Sequence, residues 1–550
     1  GAVGNQAYYA DNLVDSGSTT VTGTGSFTYL ADTDNTTFST AIDLSPISFG
    51  TNFTAFTVGN AQNTQNLTLG SLDIQGPISL YGGDIVLSEN ISSTSSGASI
   101  TLKATKDINL SANKSISSNN GDVVLWANSD GESENGAVIL RDSSDITTNG
   151  GHLWVGGGSG TTTWNGITVG DGHAVSGTSI SPSNGGSASK SGVYLENFTA
   201  TTNGGNITLK GKSENTYYGF LTHQDITLDA GVGKINIEGI ATGSGSRGGV
   251  TGFHDDSAVF TINSASNASD AITVNFDTTS GTFHGATLAG RINLIATNGG
   301  GIVFTSLGDA NDYGLRLGYS TSDKGELNLL SNTGTITVDF GDRGYKVESN
   351  NASALNFGAK TGSAITTSSS NIIWKSDRFT LGSNPASNAL NFNTSGVVKI
   401  IPKSNSFSEA FSTSAKWNFD TSLGGLTIGT STNSANITIG DAISIAGPLT
   451  VSGGDIVLSN PLTTTDTLTL QSSGAVTQSQ AVSATTLALL GSGSFTLSNS
   501  SNDVNRLTAG TSNQSIGTLN YTDSNALNLV SEGINSSGTV EVETLSGNLT

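Results

Sequence analysis

The chain contains no cysteine, no methionine, 7 prolines and 5 histidines among its 550 residues. Without cysteine, disulfide frameworks, thiol catalysis and iron–sulfur clusters are excluded, and structural zinc sites lack their usual ligands. No run of about 18 apolar residues occurs that would cross a bilayer as a helix. The sequence therefore predicts no membrane insertion, and the lack of cysteine suits an exported bacterial protein.

Basic residues are also scarce, because 21 Lys and Arg face 43 Asp and Glu, which gives a formal net charge of −22. A surface of this charge repels phosphate backbones, so no nucleic-acid partner is expected. The sequence has no GxSxG elbow, HExxH helix or GxxxxGK[ST] loop. The motifs that carry the catalytic residues of many hydrolases, zinc proteases and NTPases are therefore missing, and we expect the protein not to be an enzyme.

Glycine is abundant, with 72 residues, and it introduces short strands of alternating apolar and polar residues. Between residues 82 and 155 these strands read GGDIVL, GASITL, GDVVL and GGHLWV. One strand–turn phrase ends at Gly121 and returns at Gly151, 30 residues later (151 − 121 = 30). A parallel β-helix needs such repetition, because every rung presents the same inward positions to the rung below.

We therefore predict an all-β chain that forms a right-handed parallel β-helix, or β-solenoid, as a single elongated rod. Residues 156–191 are polar and rich in Gly and Ser, and they lack enough apolar residues for a rung. We expect them to protrude as a loop or flap. The inward residues expected to be buried are Ile85, Leu87, Val123, Leu125, Leu153, Ile207, Leu209, Ile456 and Leu458.

The phrase GGDIVLS occurs twice, at residues 82–88 and 453–459, inside longer matching frames. This repeat predicts a β-helix module at residues 1–370 and the start of a second module at 371–550 in the same solenoid. Neither end of the sequence carries a capping segment. We therefore expect the segment to continue into more β-helix, within a longer polypeptide or by end-to-end stacking of chains.

Three long phrases carry a family resemblance: WVGGGSGTTTWNGITVGDGHAVSG at 154–177, the GPxxxxGGDIVL frame in both copies, and the tail phrases from Gly474 and Ser536. They resemble the large repetitive exoproteins of Gram-negative bacteria grouped with filamentous haemagglutinin. The resemblance implies secretion to the extracellular space or cell surface and a structural or adhesive role in a fibre. It implies self-contacts and host-cell or matrix glycans as partners, and it transfers no catalytic residue.

The alternative function is that of a polysaccharide-binding or polysaccharide-degrading β-helix enzyme, which needs a groove with converging carboxylates and basic groups. His254, Asp255 and Asp256 form the densest ionisable cluster. Adjacent strand residues point to opposite faces, so the two aspartates cannot both face one sugar if they lie in a strand.

Acidic pairs in turns could supply oxygen ligands to calcium, the one cofactor considered. The alternative is that these turns are merely solvated, because the EF-hand frame and the GGxGxDx repeat are both missing. The candidate ligands are Asp32, Asp34, Asp309 and Asp312, together with Glu132 and Glu134.

Aromatic side chains could form platforms for glycan rings, and the candidates are Trp126, Trp164, Tyr217 and Tyr218. Trp126 follows inward Leu125, so alternation directs it outward. Two such rings close together would form a glycan patch. The alternative is that large aromatic residues lie flat on a sheet beside a loop.

Overall fold

The computed structural model describes residues 4–14, 19–32, 34–132, 136–183, 189–214, 218–243, 247–251, 258–278, 284–309, 312–318, 325–347, 353–380, 388–414 and 416–550. Within these ranges the chain forms 56 β-strands and no helix. Accordingly, no helix long and apolar enough to cross a membrane occurs in the described ranges. Strand after strand pairs in parallel with the strand one coil earlier, which confirms the prediction of an all-β parallel β-helix.

Up to residue 307 the strands are β1 (Gln6–Tyr9), β2 (Thr19–Val21), β3 (Ser26–Leu30), β4 (Ile42–Asp43), β5 (Ile47–Phe49), β6 (Ala55–Val58), β7 (Leu67–Leu69), β8 (Leu72–Ile74), β9 (Ile78–Gly82), β10 (Ile85–Leu87), β11 (Ile91–Ser93), β12 (Ile100–Ala104), β13 (Ile108–Leu110), β14 (Ser115–Ser118), β15 (Val123–Trp126), β16 (Val138–Leu140), β17 (Asp145–Thr147), β18 (Leu153–Trp164), β19 (Ile167–Gly172), β20 (Ala174–Val175), β21 (Ser191–Thr201), β22 (Ile207–Ser213), β23 (Tyr218–Asp229), β24 (Ile235–Ala241), β25 (Arg247–Thr251), β26 (Val259–Ser264), β27 (Ile272–Asp277), β28 (Ala286–Leu288), β29 (Gly290–Ala296) and β30 (Ile302–Leu307).

The remaining strands are β31 (Leu315–Leu317), β32 (Gly325–Ser331), β33 (Ile336–Asp339), β34 (Tyr345–Val347), β35 (Ser353–Thr361), β36 (Ala364–Thr366), β37 (Ile372–Lys375), β38 (Phe379–Thr380), β39 (Asn388–Phe392), β40 (Val397–Ile401), β41 (Phe411–Thr413), β42 (Trp417–Phe419), β43 (Gly425–Ile428), β44 (Ile437–Ile439), β45 (Ile443–Ile445), β46 (Leu449–Gly453), β47 (Ile456–Leu458), β48 (Leu462–Thr464), β49 (Thr467–Ser472), β50 (Ala475–Gln478), β51 (Val482–Leu490), β52 (Ser494–Leu497), β53 (Asp503–Ala509), β54 (Leu519–Asp523), β55 (Asn528–Ile534) and β56 (Val540–Thr544).

The chain divides into two compact units, unit 1 (Gly1–Gly300 with Ser306–Asp312) and unit 2 (Gly301–Thr305 with Tyr313–Thr550). This division does not coincide with the boundary between sequence modules at 370/371. Within unit 2 the ladder runs through that boundary, because β37 pairs in parallel with β33 before it and with β40 after it. A repeat in sequence therefore restarts here without a break in the coil.

From β7 to β18, each coil of unit 1 contributes three short strands to three faces, and the longer strand β21 then continues both the second and the third face. The first face stacks β9, β12, β15, β18, β22 and β24, the second stacks β7, β10, β13, β16 and β21, and the third stacks β8, β11, β14 and β17. All nine residues predicted to be inward are fully buried. The core prediction is confirmed, and like residues stack on like, as Ile85 does on Ile108.

The residue before a strand often ties one rung to the next through its side chain. Asp84, in the GGDIVLS phrase, accepts a hydrogen bond from the Asp107 N–H through Oδ1 at 3.2 Å. Its counterpart Asp455 accepts from the Ala475 N–H at 2.7 Å. The aspartate of the repeated phrase therefore has a structural function, which is to satisfy a main-chain donor at a corner of the coil.

The two sequence copies build the same ladder of strands. In the first copy β6 pairs with β9, β7 with β10 and β8 with β11, and in the second β43 pairs with β46, β44 with β47 and β45 with β48. Both copies bury an asparagine at one corner. Asn63 donates to the Tyr81 carbonyl at 2.8 Å, and Asn433 donates to the Ser452 carbonyl at 2.9 Å.

The core of unit 2 is rich in aromatic rings and carries a ladder of amides outside it. Phe392 stacks between Phe357 and Phe419, with ring centroids 5.1 and 4.9 Å away. Asparagine side chains on neighbouring rungs donate to one another at 2.6 to 2.8 Å, in the order Asn418, Asn391, Asn356 and Asn328. The first three each precede one of these rings in the chain, and Asn328 precedes Leu329. Ring stacking and amide ladders both favour this register over a slipped one.

Candidate ligand groove

The excursion predicted at residues 156–191 begins with an antiparallel hairpin. Strand β18 leaves the coil after Val155 and turns at Asn165-Gly166, and β19 returns against it. Both turn residues have positive φ, 46° and 85°, the combination that two-residue hairpin loops require. The coil resumes at β21, so Asn206 and His152, which are neighbours across one rung, lie 54 residues apart.

This hairpin folds back on the outer face of the coil and does not protrude freely. Val169 is fully buried and packs with Val124, Trp126 and Trp154, and Trp164 adds a partly buried ring. The Trp126 Nε1–H donates to the Gly158 carbonyl at 2.7 Å. The polar composition of this stretch did not indicate a second core, because a flap that covers only one face needs only a few apolar residues.

The aromatic glycan candidates are therefore mostly unavailable for ring stacking. Trp126 points outward as predicted, but it is only 4% exposed beneath the hairpin. Trp164 is half-buried beside the cluster beneath the hairpin, and its ring centroid lies 5.4 Å from that of His152. Tyr218 packs against a neighbouring apolar cluster, and Tyr217 lies outside the described residues.

A second arm of the excursion, at residues 178–180, covers the adjacent face of the coil. Ile180 packs on outward-facing Ile139, Tyr194 and Leu221. Burial raises the pKa of the Tyr194 phenol far above its ordinary value, and the nearby Glu196 carboxylate raises it further. The excursion thus covers apolar outward positions on two faces of the same rungs.

An ion cluster holds the base of the excursion, and its central residue is Glu238 on β24. His173 Nε2 lies 3.2 Å from Glu238 Oε2, and Lys210 Nζ lies 3.3 Å from the same oxygen. The close polar contact of His173, together with the charges of His173 and Lys210, lowers the pKa of Glu238 from 4.5 to about 2, against the opposing effect of burial.

A pH-dependent loss of stability follows from this cluster. A carboxyl whose pKa is lower in the folded state adds stability above its unfolded value, and that stability is lost as pH falls through the folded value. We expect Glu238→Gln to reduce the loss of thermal stability between pH 4.5 and about 2. Glu541→Gln, which removes an exposed carboxylate outside this cluster, is the control. Parallel profiles for the wild type and Glu238→Gln would contradict the assignment.

Beside the second arm lies a groove of about 290 Å³ on the outer face of unit 1. Its floor is a row of outward residues on four successive rungs, in the order Thr68, Val86, Asn109 and Ile139. Its wall is the excursion segment 178–180, and its rim carries Asn66, Asp84, Asp107 and Arg141. The coil supplies the floor, and the excursion converts that flat face into a groove.

Some polar groups of the groove already have hydrogen-bond partners in the protein, and others do not. Asp107 is 6% exposed, and its two oxygens accept from the Ala137 and Thr178 N–H groups at 2.8 and 3.0 Å. It therefore holds the excursion wall in place. By contrast, Asn109 Oδ1 is buried and has no hydrogen-bond partner among the described atoms. Arg141 Nε lies 3.8 Å from Oε2 of the fully buried Glu196.

The calcium candidates do not converge in the described structure. Asp309 Oδ1 accepts from the Asp312 N–H at 2.8 Å, and Asp312 pairs with His284 at 3.2 Å. The Asp32 carbonyl accepts from the Asn35 N–H, and Asp34 is exposed. Across the described ranges, no three or more His, Asp or Glu side chains are grouped to hold a metal ion. Glu134 lies outside those ranges, as do His254, Asp255 and Asp256.

The groove and the two covered faces were not predicted from the sequence, although the sequence carries a signal for the covered faces. Strands β15, β16 and the start of β18 read VVLW, VIL and LWV, apolar at every position. A strand covered on one face alternates, whereas a continuous apolar run indicates burial on both faces. The phrase WNGI likewise indicated a hairpin.

Comparisons with protein-family models, curated proteins and solved structures found no match to this chain.

Proposed function

We propose that the protein is a non-catalytic structural and adhesive segment of a secreted or cell-surface bacterial fibre. The observation that carries this proposal is that sequence copies about 370 residues apart build the same ladder of strands. Selection for chemistry would preserve a site, whereas this repeat preserves inward apolar residues and corner residues. Those are the residues on which a stack of identical rungs depends.

The hydrogen bonds between successive rungs support a mechanical role for the protein. Main-chain ladders link each rung to the next, and corner side chains such as Asp84 and Asp455 add further links across the same gap. Buried asparagines and stacked rings fix the register in unit 2. Force along the stack would have to break many such bonds together. Axial self-contacts between rungs are therefore the assembly mode that we propose, with weaker lateral contacts because of the net charge of −22.

Electron microscopy tests this proposal directly. Antibodies raised against residues 1–550 are expected to label fibres on intact source cells, and the purified chain is expected to appear elongated in negative stain. Labelling confined to the cell interior, or a purified chain seen only as compact globules, would overturn the proposal.

A further inference from the structure

The groove of unit 1 combines a small volume with an amphipathic lining. Its volume of about 290 Å³ lies just below the usual range of small-molecule sites, roughly 300 to 1,000 Å³. Val86 gives the floor an accessible apolar position, Ile139 closes one end beneath Ile180 and is only 3% exposed, and Asn109 lies between them. A ligand that fits must therefore be short, with an apolar face and polar edges.

Asn109 requires a hydrogen-bond donor that the described protein does not supply. Its Oδ1 is buried without a partner among the described atoms, and an unpaired buried acceptor calls for a donor such as a bound water or a ligand hydroxyl. Neighbouring Asp84 uses Oδ1 for the Asp107 N–H, and its Oδ2 accepts no hydrogen bond from the described residues. Asp84 and Asn109 lie on successive rungs, which are about 4.8 Å apart, and two positions apart along the strand direction. Both acceptors therefore face a ligand that must donate.

We propose that this groove binds a neutral glycan, one or two pyranose rings with equatorial hydroxyls. The C–H face of such a ring would lie on Val86, and its edge hydroxyls would donate to Asn109 and Asp84. The carboxylates of Asp84 and Asp107 repel an acidic ring, and the charge of Arg141 is partly compensated by Glu196. This inference deepens the adhesive part of the proposed function and rests on it.

The second sequence copy provides an internal comparison. It repeats four groove residues without the excursion wall, and there Val457, the counterpart of Val86, is 39% exposed. The repeated pairs are Asn66 and Asn436, Thr68 and Thr438, Asp84 and Asp455, and Val86 and Val457. The wall is therefore what distinguishes a binding groove from an ordinary face of the coil.

Isothermal titration calorimetry of the 550-residue chain with cellotetraose and chitotetraose tests the proposal. We expect one of them to bind, and we expect Asn109→Leu to weaken that binding about tenfold or more. The matched control is Thr477→Leu, since Thr477 pairs with Val457 as Asn109 pairs with Val86. That control should bind like the wild type.

A second pair of variants protects the test against misfolding. Asp84→Asn keeps an oxygen for the Asp107 N–H while it removes the charge, and Asp455→Asn makes the same change in the second copy. Only the first should weaken binding, with both thermal unfolding profiles unchanged. No heat with either sugar at millimolar concentration, equal affinity in Asn109→Leu, or preference for an acidic hyaluronan tetrasaccharide would overturn the proposal. Fibres seen by electron microscopy would then still support the structural function.

Discussion

Leu125→Asp is expected to destroy the coil of unit 1 around β15. Leu125 is fully buried and stacks between Leu102 and Val155 on the neighbouring rungs. A carboxylate at this position would have no partner in an apolar lumen, and the cost of burying it is about 5 kcal/mol or more. That cost approaches the whole stability of many domains. Chemical denaturation followed by circular dichroism would show a sharply lowered midpoint or no folded baseline.

Val457→Asp is the matched control for this substitution. Val457 is also an aliphatic residue in a strand, but it points outward and is 39% exposed. An exposed carboxylate there is hydrated, so the expected change in the free energy of unfolding is within about 0.5 kcal/mol. Similar losses in the two variants would show that β-propensity, and not inward burial, sets the effect at Leu125.

The sequence predicted the coil because its determinants are local and repeated. A rung needs apolar residues two positions apart, as in Ile85 and Leu87, followed by a glycine-rich or asparagine-rich turn. These short-range rules are visible in a single phrase. The repeat of GGDIVLS at a distance of 371 residues then established the correspondence between copies, and both copies adopt the same pairings.

The groove was not predictable in the same way, because its residues come from separate rungs and one excursion. Asp107 bonds to Thr178, 71 residues later, and this contact depends on how the excursion folds back. No local rule links the two residues. Outward asparagines such as Asn109 are also common in turn-rich, polar sequences, so only the structure distinguishes a buried orphan acceptor from a solvated one.

Gly429→Ala is expected to have the second largest effect, through the corner that both copies share. Gly429 has φ +81°, and a Cβ there would lie 2.1 Å from the Ser452 carbonyl oxygen. That carbonyl accepts the hydrogen bond from buried Asn433. A methyl group would therefore force the next rung away and break the asparagine bond. We expect a loss of about 3 kcal/mol or more in the free energy of unfolding.

Gly97→Ala is the control that distinguishes the effect of this clash from the effect of backbone strain at a positive φ. Gly97 has nearly the same φ, +79°, but a Cβ there would meet no atom within 4 Å. Only the left-handed backbone penalty applies there, about 1 kcal/mol. Gly59→Ala should resemble Gly429→Ala, since its Cβ would lie 2.3 Å from the Tyr81 carbonyl oxygen. If all three variants lost the same stability in urea titrations, φ alone would explain the glycines. The close approach of successive rungs would then have no part in their repetition.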